Sequence, residues 1–161
     1  MASLALLLGG NCGDMVATFE GVRRAIESRV GEIVAQSSLL KSEPWGFDCE
    51  DIFSNQALIV ECDMEPLELL DVLQAIEHQW GRDRKTEAKI KETSGERYIS
   101  RAIDIDIILY GDRVVQSERL QIPHPLMQER MFVLKPLAQV APQMLHPVLG
   151  LTVEQIKKRF V

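Results

Sequence analysis

From Ile103 to Ile108 the chain alternates aliphatic and acidic residues: Ile103, Asp104, Ile105, Asp106, Ile107, Ile108. On a β-strand successive side chains point to opposite faces, so Asp104 and Asp106 share one face, about 6.6 Å apart along the strand. Aspartate is depleted from strands, and two like charges on one face repel. Such a placement calls for compensation, and a divalent cation supplies it. Oxygen-only ligands suit Mg²⁺, which is commonly held by one or two carboxylates together with substrate phosphates. Taken alone, the pair fits equally well a half-exposed strand whose outer face is acidic.

The neighbouring charges favour the cation. Gly81, Arg82, Asp83, Arg84 and Lys85 precede the acidic strand by some twenty residues, and Arg97 and Arg101 lie just before it. The planar fork of arginine grips phosphate oxygens in pairs, so arginines beside a magnesium pair suggest a polyphosphate ligand. Arg82, Arg84 and Arg101 are the candidates, close to a helix end or to Asp104, whereas Lys85, Lys89 and Lys91 read as a solvated charged loop. No GxxxxGK[ST] loop is present. The turn Gly9, Gly10, Asn11, Cys12, Gly13 is followed by Asp14, so it is not a GxGxxG fingerprint and reads as a strand-to-helix turn. A nucleotide would therefore be held by side chains and by the long loop.

Two further residues stand out. His124 lies between Pro123 and Pro125, which stiffen its backbone, so a ligand-contacting role and a structural turn are both open. Trp45, in the loop Glu43, Pro44, Trp45, Gly46, is poorly placed for a core and could stack on a flat ring. Phe53 and Phe132 are compatible with a core, while His78 and His146 have no partner in sequence and read as non-functional.

The elements that position these residues follow from periodicity. Ser3 to Leu8 is a short apolar run, a buried strand ended by Gly9 and Gly10. Asp14 caps a helix whose apolar stripe is Val16, Phe19, Val22, Ile26 and Val30, with Gly31 as its stop. A second strand is expected over Glu32 to Leu40 and a third over Ser54 to Cys62. Pro66 opens a second helix with Leu69, Leu70, Leu73, Ile76 and Trp80 on its buried face. Residues 82–101 show neither period, and loops of that length are usually functional lids or disordered. The fourth strand, Ala102 to Tyr110, turns at Gly111 and Asp112 into a short hairpin partner at Val114 and Val115. A helix near Met131 to Val140 and a last one from Thr152 to Arg159 complete the chain. The order β-α-β-β-α-β predicts a ferredoxin-like α+β sandwich: an antiparallel sheet with helices on one main face, plus C-terminal helices.

Bulk composition narrows the class. The 161 residues fit one domain, 1–161, with 46% hydrophobic and 26% charged residues, a profile that supports a packed core. The net charge of −6 disfavours nucleic acid and anionic membranes as partners. Cys12, Cys49 and Cys62 are scattered, which reads as reduced thiols. The run Leu4 to Leu8 is too short for a membrane span. A cytoplasmic monomer acting on small molecules is expected.

At this point the chain resembles the 6-hydroxymethyl-7,8-dihydropterin pyrophosphokinases of folate biosynthesis. The resemblance runs from Gly9 to Phe132, and its most specific piece is Arg101, Ala102, Ile103, Asp104, Ile105, Asp106, similar to the family's R-x-[IL]-D-[IL]-D signature. Supporting pieces are Gly9, Gly10 and Asn11; Pro44, Trp45 and Gly46; Asn55; Glu77 through Arg82; and Pro123, His124 and Pro125 followed by Arg130 and Phe132. The resemblance implies a ferredoxin-like fold and a diphosphotransferase that converts ATP and the pterin alcohol into the pterin diphosphate and AMP. It implies two Mg²⁺ ions on Asp104 and Asp106, with Arg82, Arg84, Arg101, His124 and Arg130 on the triphosphate. Arg82, Arg84, Arg101 and Asp106 would be the catalytic groups, Asp106 also helping to accept the hydroxyl proton. Ser42, Pro44, Trp45, Phe53, Asn55 and Phe132 would line the pterin slot, Ile107 would lie near the adenine and Glu77 would orient the arginines. The chain departs from the family pattern at Gly10, often serine, at Phe53, often tyrosine, and at Tyr98, often tryptophan.

The rival class is a noncatalytic binding module, since sandwiches of this kind also bind RNA or sense ligands. The aromatic pattern of an RNA-binding sheet is missing, and the acidic net charge opposes it. A metal-dependent nuclease would also pair acids, but no activating base lies beside these two.

Overall fold

The computed structural model describes residues 2–10, 14–42, 53–80 and 103–159, with the side chain of Ser42 excepted. Its frame is one antiparallel sheet of β1 (Ala2–Gly10), β2 (Ile33–Gln36), β3 (Leu40–Ser42), β4 (Phe53–Cys62) and β5 (Asp104–Tyr110). The path is β2-β4-β1-β5, and β3 also pairs with β4. Two helices, α1 (Met15–Arg29) and α2 (Pro66–Gln79), connect the strands as β-α-β-β-α-β units require.

Alternation along the central strand creates two cores. Leu4, Leu6 and Leu8 of β1 pack with Leu58 and Val60 of β4 beneath α1 and α2, whose buried residues include Phe19, Val22, Ile26, Leu69, Leu73 and Ile76. Ala5 and Leu7 face the other way and join Ala57, Ile59 and Val133, Leu134 and Leu137 of α3 (Met131–Val140). The C-terminal α4 (Val153–Lys158) adds Val153 and Ile156 to that second core. The sheet is therefore covered on both faces, the C-terminal helices closing the face that α1 and α2 leave open.

Local chemistry sets the element ends. The Asp14 carboxylate accepts from the Ala17 N–H at 3.1 Å and caps α1. Thr152 and Gln155 cap α4 reciprocally, a capping box. Val16, expected on the α1 stripe, is instead exposed. Gly31 does follow α1, and a second constraint makes it glycine: a Cβ there would lie far inside van der Waals contact distance of the Glu61 carbonyl oxygen. Gly31→Ala must move backbone, so a destabilisation of about 1–3 kcal/mol is expected. Thermal unfolding checks it, because Tm falls by roughly 2–4 °C per kcal/mol in a chain of this size.

Two strand expectations change. The segment read as one strand from Glu32 to Leu40 is two, β2 and β3, separated at Ser37, whose hydroxyl oxygen accepts from the Ala57 N–H at 2.9 Å and donates to the Ser38 carbonyl. Val114 and Val115 do not extend β5 as a hairpin. Gly111 turns at φ +56°, and β6 (Val115–Gln116) pairs with β7 (Gln121–Ile122) in a separate ribbon. A second two-stranded piece joins β8 (Leu145–His146) to β9 (Leu151–Thr152).

Candidate active site

The predicted strand of paired carboxylates is β5, at one edge of the sheet, and its faces divide as alternation requires. Ile103, Ile105 and Ile107 enter the core under α1 and α2, while Asp104 is half-buried and Asp106 exposed on the opposite face. The regularity ends one residue later. Leu6 is opposite Ile107 and Ala5 opposite Leu109, so Ile108 is an extra residue in β5. This bulge sends both Ile108 and Leu109 into the second core.

Strand register then assembles the site. Gly9 of β1 lies opposite Asp104 on one side and Asn55 of β4 on the other. Leu7, two residues back, lies opposite Asp106 and Ala57. Asn55 and Asp104 are thus two strand spacings apart, about 10 Å, with a residue lacking a side chain between them. A Cβ on Gly9 would come within 3.2 Å of the Asn55 Oδ1. The bare glycine thus separates a buried amide (Asn55, 5% exposed) from a carboxylate. Phe53, on the same strand as Asn55, is half-buried.

The outer edge of β5 is satisfied from two directions. Glu77, in the last turn of α2 and 7% exposed, accepts the Ile105 N–H on Oε2 at 2.8 Å. The His124 N–H donates to the Ile108 carbonyl at 2.9 Å. Glu77 thereby pins the strand between the two aspartates, a role that its sequence position could not reveal. Glu77→Leu strands that N–H in a buried place, so a stability loss of about 1–3 kcal/mol is expected. A fall in kcat of up to roughly 10²-fold follows from displaced aspartates. Glu77→Gln keeps an acceptor oxygen and should recover most of the stability, which urea unfolding of the two variants measures.

His124 is half-buried, and its Nδ1 accepts the Leu126 N–H at 3.3 Å. Burial, and then the Arg130 guanidinium nearby, lower its pKa below the usual histidine value. At neutral pH the ring is neutral with its proton on Nε2, a hydrogen-bond donor. Arg130 N-caps α3, and its guanidinium carbon lies 5.5 Å from the centroid of the Phe132 ring, a cation–π contact. Phe132 is 38% exposed, so it is free of the core and offers a face.

The structure thus brings Asp104, Asp106, Gly9 and Asn55 together, and groups His124 with Arg130 and Phe132. Ile107 is a core residue whose side chain faces away from the carboxylates, so near a nucleotide it has backbone to offer. Pro44, Trp45, Arg82, Arg84, Arg101 and the loop 82–101 lie outside the described residues, as does the side chain of Ser42.

Among the described residues no group of three or more His, Cys, Asp or Glu could hold a metal. That donor set suits an ion completed by phosphate oxygens and water and does not suit one caged by protein alone. Fold and site together define an antiparallel α+β sandwich with a carboxylate pair on an edge strand.

The comparisons make this particular. Residues 5–142 match the family described as 7,8-dihydro-6-hydroxymethylpterin-pyrophosphokinase (HPPK). A 2-amino-4-hydroxy-6-hydroxymethyldihydropteridine pyrophosphokinase of Porphyromonas gingivalis is 38% identical over 148 residues, covering 91% of this chain and 95% of that protein. The Haemophilus influenzae protein of the same name is 33% identical over 159 residues, covering 98% and 93%. Among solved structures, Plasmodium falciparum HPPK-DHPS with pteroate superposes with a TM-score of 0.77 at 16% identity, covering 99% of this chain. The chain spans 44% of that longer one, and the likeness shows the fold. The chain belongs to the 7,8-dihydro-6-hydroxymethylpterin-pyrophosphokinase family.

Proposed function

We propose that this pyrophosphokinase of folate biosynthesis transfers pyrophosphate from ATP to 6-hydroxymethyl-7,8-dihydropterin, with Asp104 and Asp106 facing the nucleotide and Asn55 and Phe132 holding the pterin. The observation that carries this reading is the row Asn55, Gly9, Asp104 across β4, β1 and β5, which places an amide and a carboxylate two strand spacings apart with no side chain on the residue between them. Asn55 carries an amide, a group of the kind that pairs with a pterin edge, and the exposed ring of Phe132 offers a stacking face. Phe53 carries no hydroxyl, so its contribution to the slot is apolar, beside Ser42, Pro44 and Trp45.

Asp104 and Asp106 would hold Mg²⁺, two ions in full occupancy, which when bound supplies charge neutralisation for the ATP phosphates. The remaining steps belong to the protein. Neutral His124 donates from Nε2 to a phosphate oxygen, and Arg130 adds a fixed positive charge. Arg82, Arg84 and Arg101 would supply the other cationic groups, and the Glu77 carboxylate would orient them as well as pin β5. The pterin hydroxyl oxygen forms the new bond to the β-phosphorus. The bond from that phosphorus to the α,β-bridging oxygen breaks, and AMP departs with the oxygen. The hydroxyl proton passes to Asp106, the more exposed carboxylate, or to solvent.

The same reading keeps residues 1–161 as one catalytic domain, a cytoplasmic monomer. No helix among the described residues is long and apolar enough to cross a membrane. Incubation with ATP, Mg²⁺ and the pterin alcohol tests the reaction. AMP and pterin diphosphate in equal amounts are expected, whereas ADP as the nucleotide product, or no turnover with purified protein, overturns it.

A further inference from the structure

Gly21 lies in the middle of α1, where glycine is a poor helix former because it loses the most conformational freedom on folding. A close contact accounts for it. A Cβ at this position would lie far inside van der Waals contact distance of three atoms on the outer edge of the Trp80 indole, Cη2, Cζ2 and Cζ3. The glycine therefore makes a notch in α1, and the six-membered ring of Trp80 fills it. An alanine methyl would push that ring back by on the order of 1 Å, since carbon atoms rest at about 3.5–4.0 Å from one another.

Trp80 closes α2 and is half-buried against the first core. Its ring sits there against a penalty, because the indole Nε1 is buried with no hydrogen-bond partner among the described residues. A phenyl ring would carry no such donor, but it would stop short of the notch. Reach across to α1 is what the indole adds. Its backbone is tied to the residue that matters for the site. The Trp80 N–H donates to the Ile76 carbonyl at 3.1 Å and to the Glu77 carbonyl at 3.2 Å. Glu77 in turn accepts the Ile105 N–H at 2.8 Å, between Asp104 and Asp106. An unbroken run of contacts thus leads from α1, through Trp80 and Glu77, to β5.

We propose that Trp80 is a positioning residue for pyrophosphate transfer: seated in the Gly21 notch, it fixes the last turn of α2 so that Glu77 holds β5 and its carboxylate pair in place. The inference rests on the reading of Asp104 and Asp106 as the groups that face the nucleotide. Each anchor does a different part. The Glu77–Ile105 bond ties the end of α2 to the sheet, and the Trp80 ring ties it to α1, so the helix end is held against sliding along either. A ring pushed out of the notch pulls on the Glu77 carbonyl through its own N–H. Misplacing a reacting group by about 1 Å is worth up to roughly 10²-fold in rate, and the part of the movement that reaches β5 is smaller.

Gly21→Ala, Trp80→Phe and the two together test it, read by steady-state kinetics and by amide hydrogen exchange at Ile105. Alanine suits a helix better than glycine, which favours folding of the first variant, and Trp80→Phe keeps the test valid should it not fold. Each single change should lower kcat by about tenfold while KM for ATP and for the pterin stays within about twofold. Each should also speed exchange at Ile105 more than at Ala57, whose N–H is held by the Ser37 hydroxyl and reports general stability. In the double variant the methyl occupies space that the shorter ring vacates, so kcat should return to within about threefold of the parent chain. Independent losses would instead multiply to about 10²-fold, and that result overturns the proposal. Exchange at Ile105 that rises no more than at Ala57 also overturns it and leaves Asp104 and Asp106 as assigned. Faster exchange at Ile105 with kcat unchanged overturns the link to the reaction and counts against those two residues as well.

Discussion

Replacing either Asp104 or Asp106 by alanine should lower kcat by about 10³-fold or more, because a bound metal contributes several kcal/mol of charge stabilisation and each 1.4 kcal/mol is a factor of ten. The fold should survive. Asp104 is half-buried and Asp106 exposed, and neither belongs to either hydrophobic core. Neither substitution removes core packing, so only a small change in Tm is expected. Circular dichroism and thermal unfolding of the purified variants check the fold, and steady-state turnover at saturating ATP checks the chemistry. Mn²⁺ binding measured with a nonhydrolysable ATP analogue separates the metal role from a proton role. Asp106→Asn should lose turnover and much of the metal affinity if the residue is a ligand, but turnover alone if it serves as a proton acceptor. Either alanine variant retaining turnover within a few-fold of the parent chain would falsify the assignment.

The carboxylate pair was legible in the sequence because a strand alternates with a period of two, and that depends only on local backbone geometry. The helices were legible for the same reason. The α2 stripe of Leu69, Leu73 and Ile76 is buried as its spacing requires, and Pro66 sits at the helix start. What stayed hidden depends on contacts between distant segments. The bulge at Ile108 arises from pairing with β1, so the sequence of β5 alone gives no sign of it. The interruption between β2 and β3 is fixed by the Ser37 hydroxyl bonding across to β4. Val114 and Val115 carry β propensity without a partner's address, and the positive φ at Gly111 decides where they go. His146 looked solitary because its partners are backbone groups, the Val148 and Leu149 N–H, which the turn after β8 aims at its Nδ1. Glu77 was expected to orient the arginines after α2, and its bond to the Ile105 N–H depends on a strand 28 residues away.

Gly9 shows how this matters for the chemistry. In sequence it belongs to a glycine-rich turn, whereas in the structure it is a paired residue of β1 that sits between Asn55 and Asp104. Gly9→Val should therefore cost roughly 10²-fold in kcat/KM for the pterin, the size expected when a substrate is displaced by about 1 Å from its reacting position. The valine Cβ would already crowd the Asn55 Oδ1, and its two methyl groups would occupy the space between Asn55 and Asp104. Stability should change little, because valine suits a strand better than glycine does. Gly9→Ala should be milder, since a 3.2 Å contact asks Asn55 to move by only a few tenths of an ångström. The graded series Gly, Ala, Val, read as KM for the pterin against KM for ATP, locates the pterin. A loss confined to the pterin term places the ring between Asn55 and Gly9, while equal losses in both terms mean that the valine displaces Asp104 as well. If valine leaves both constants unchanged, the row of Asn55, Gly9 and Asp104 is not where the two substrates meet.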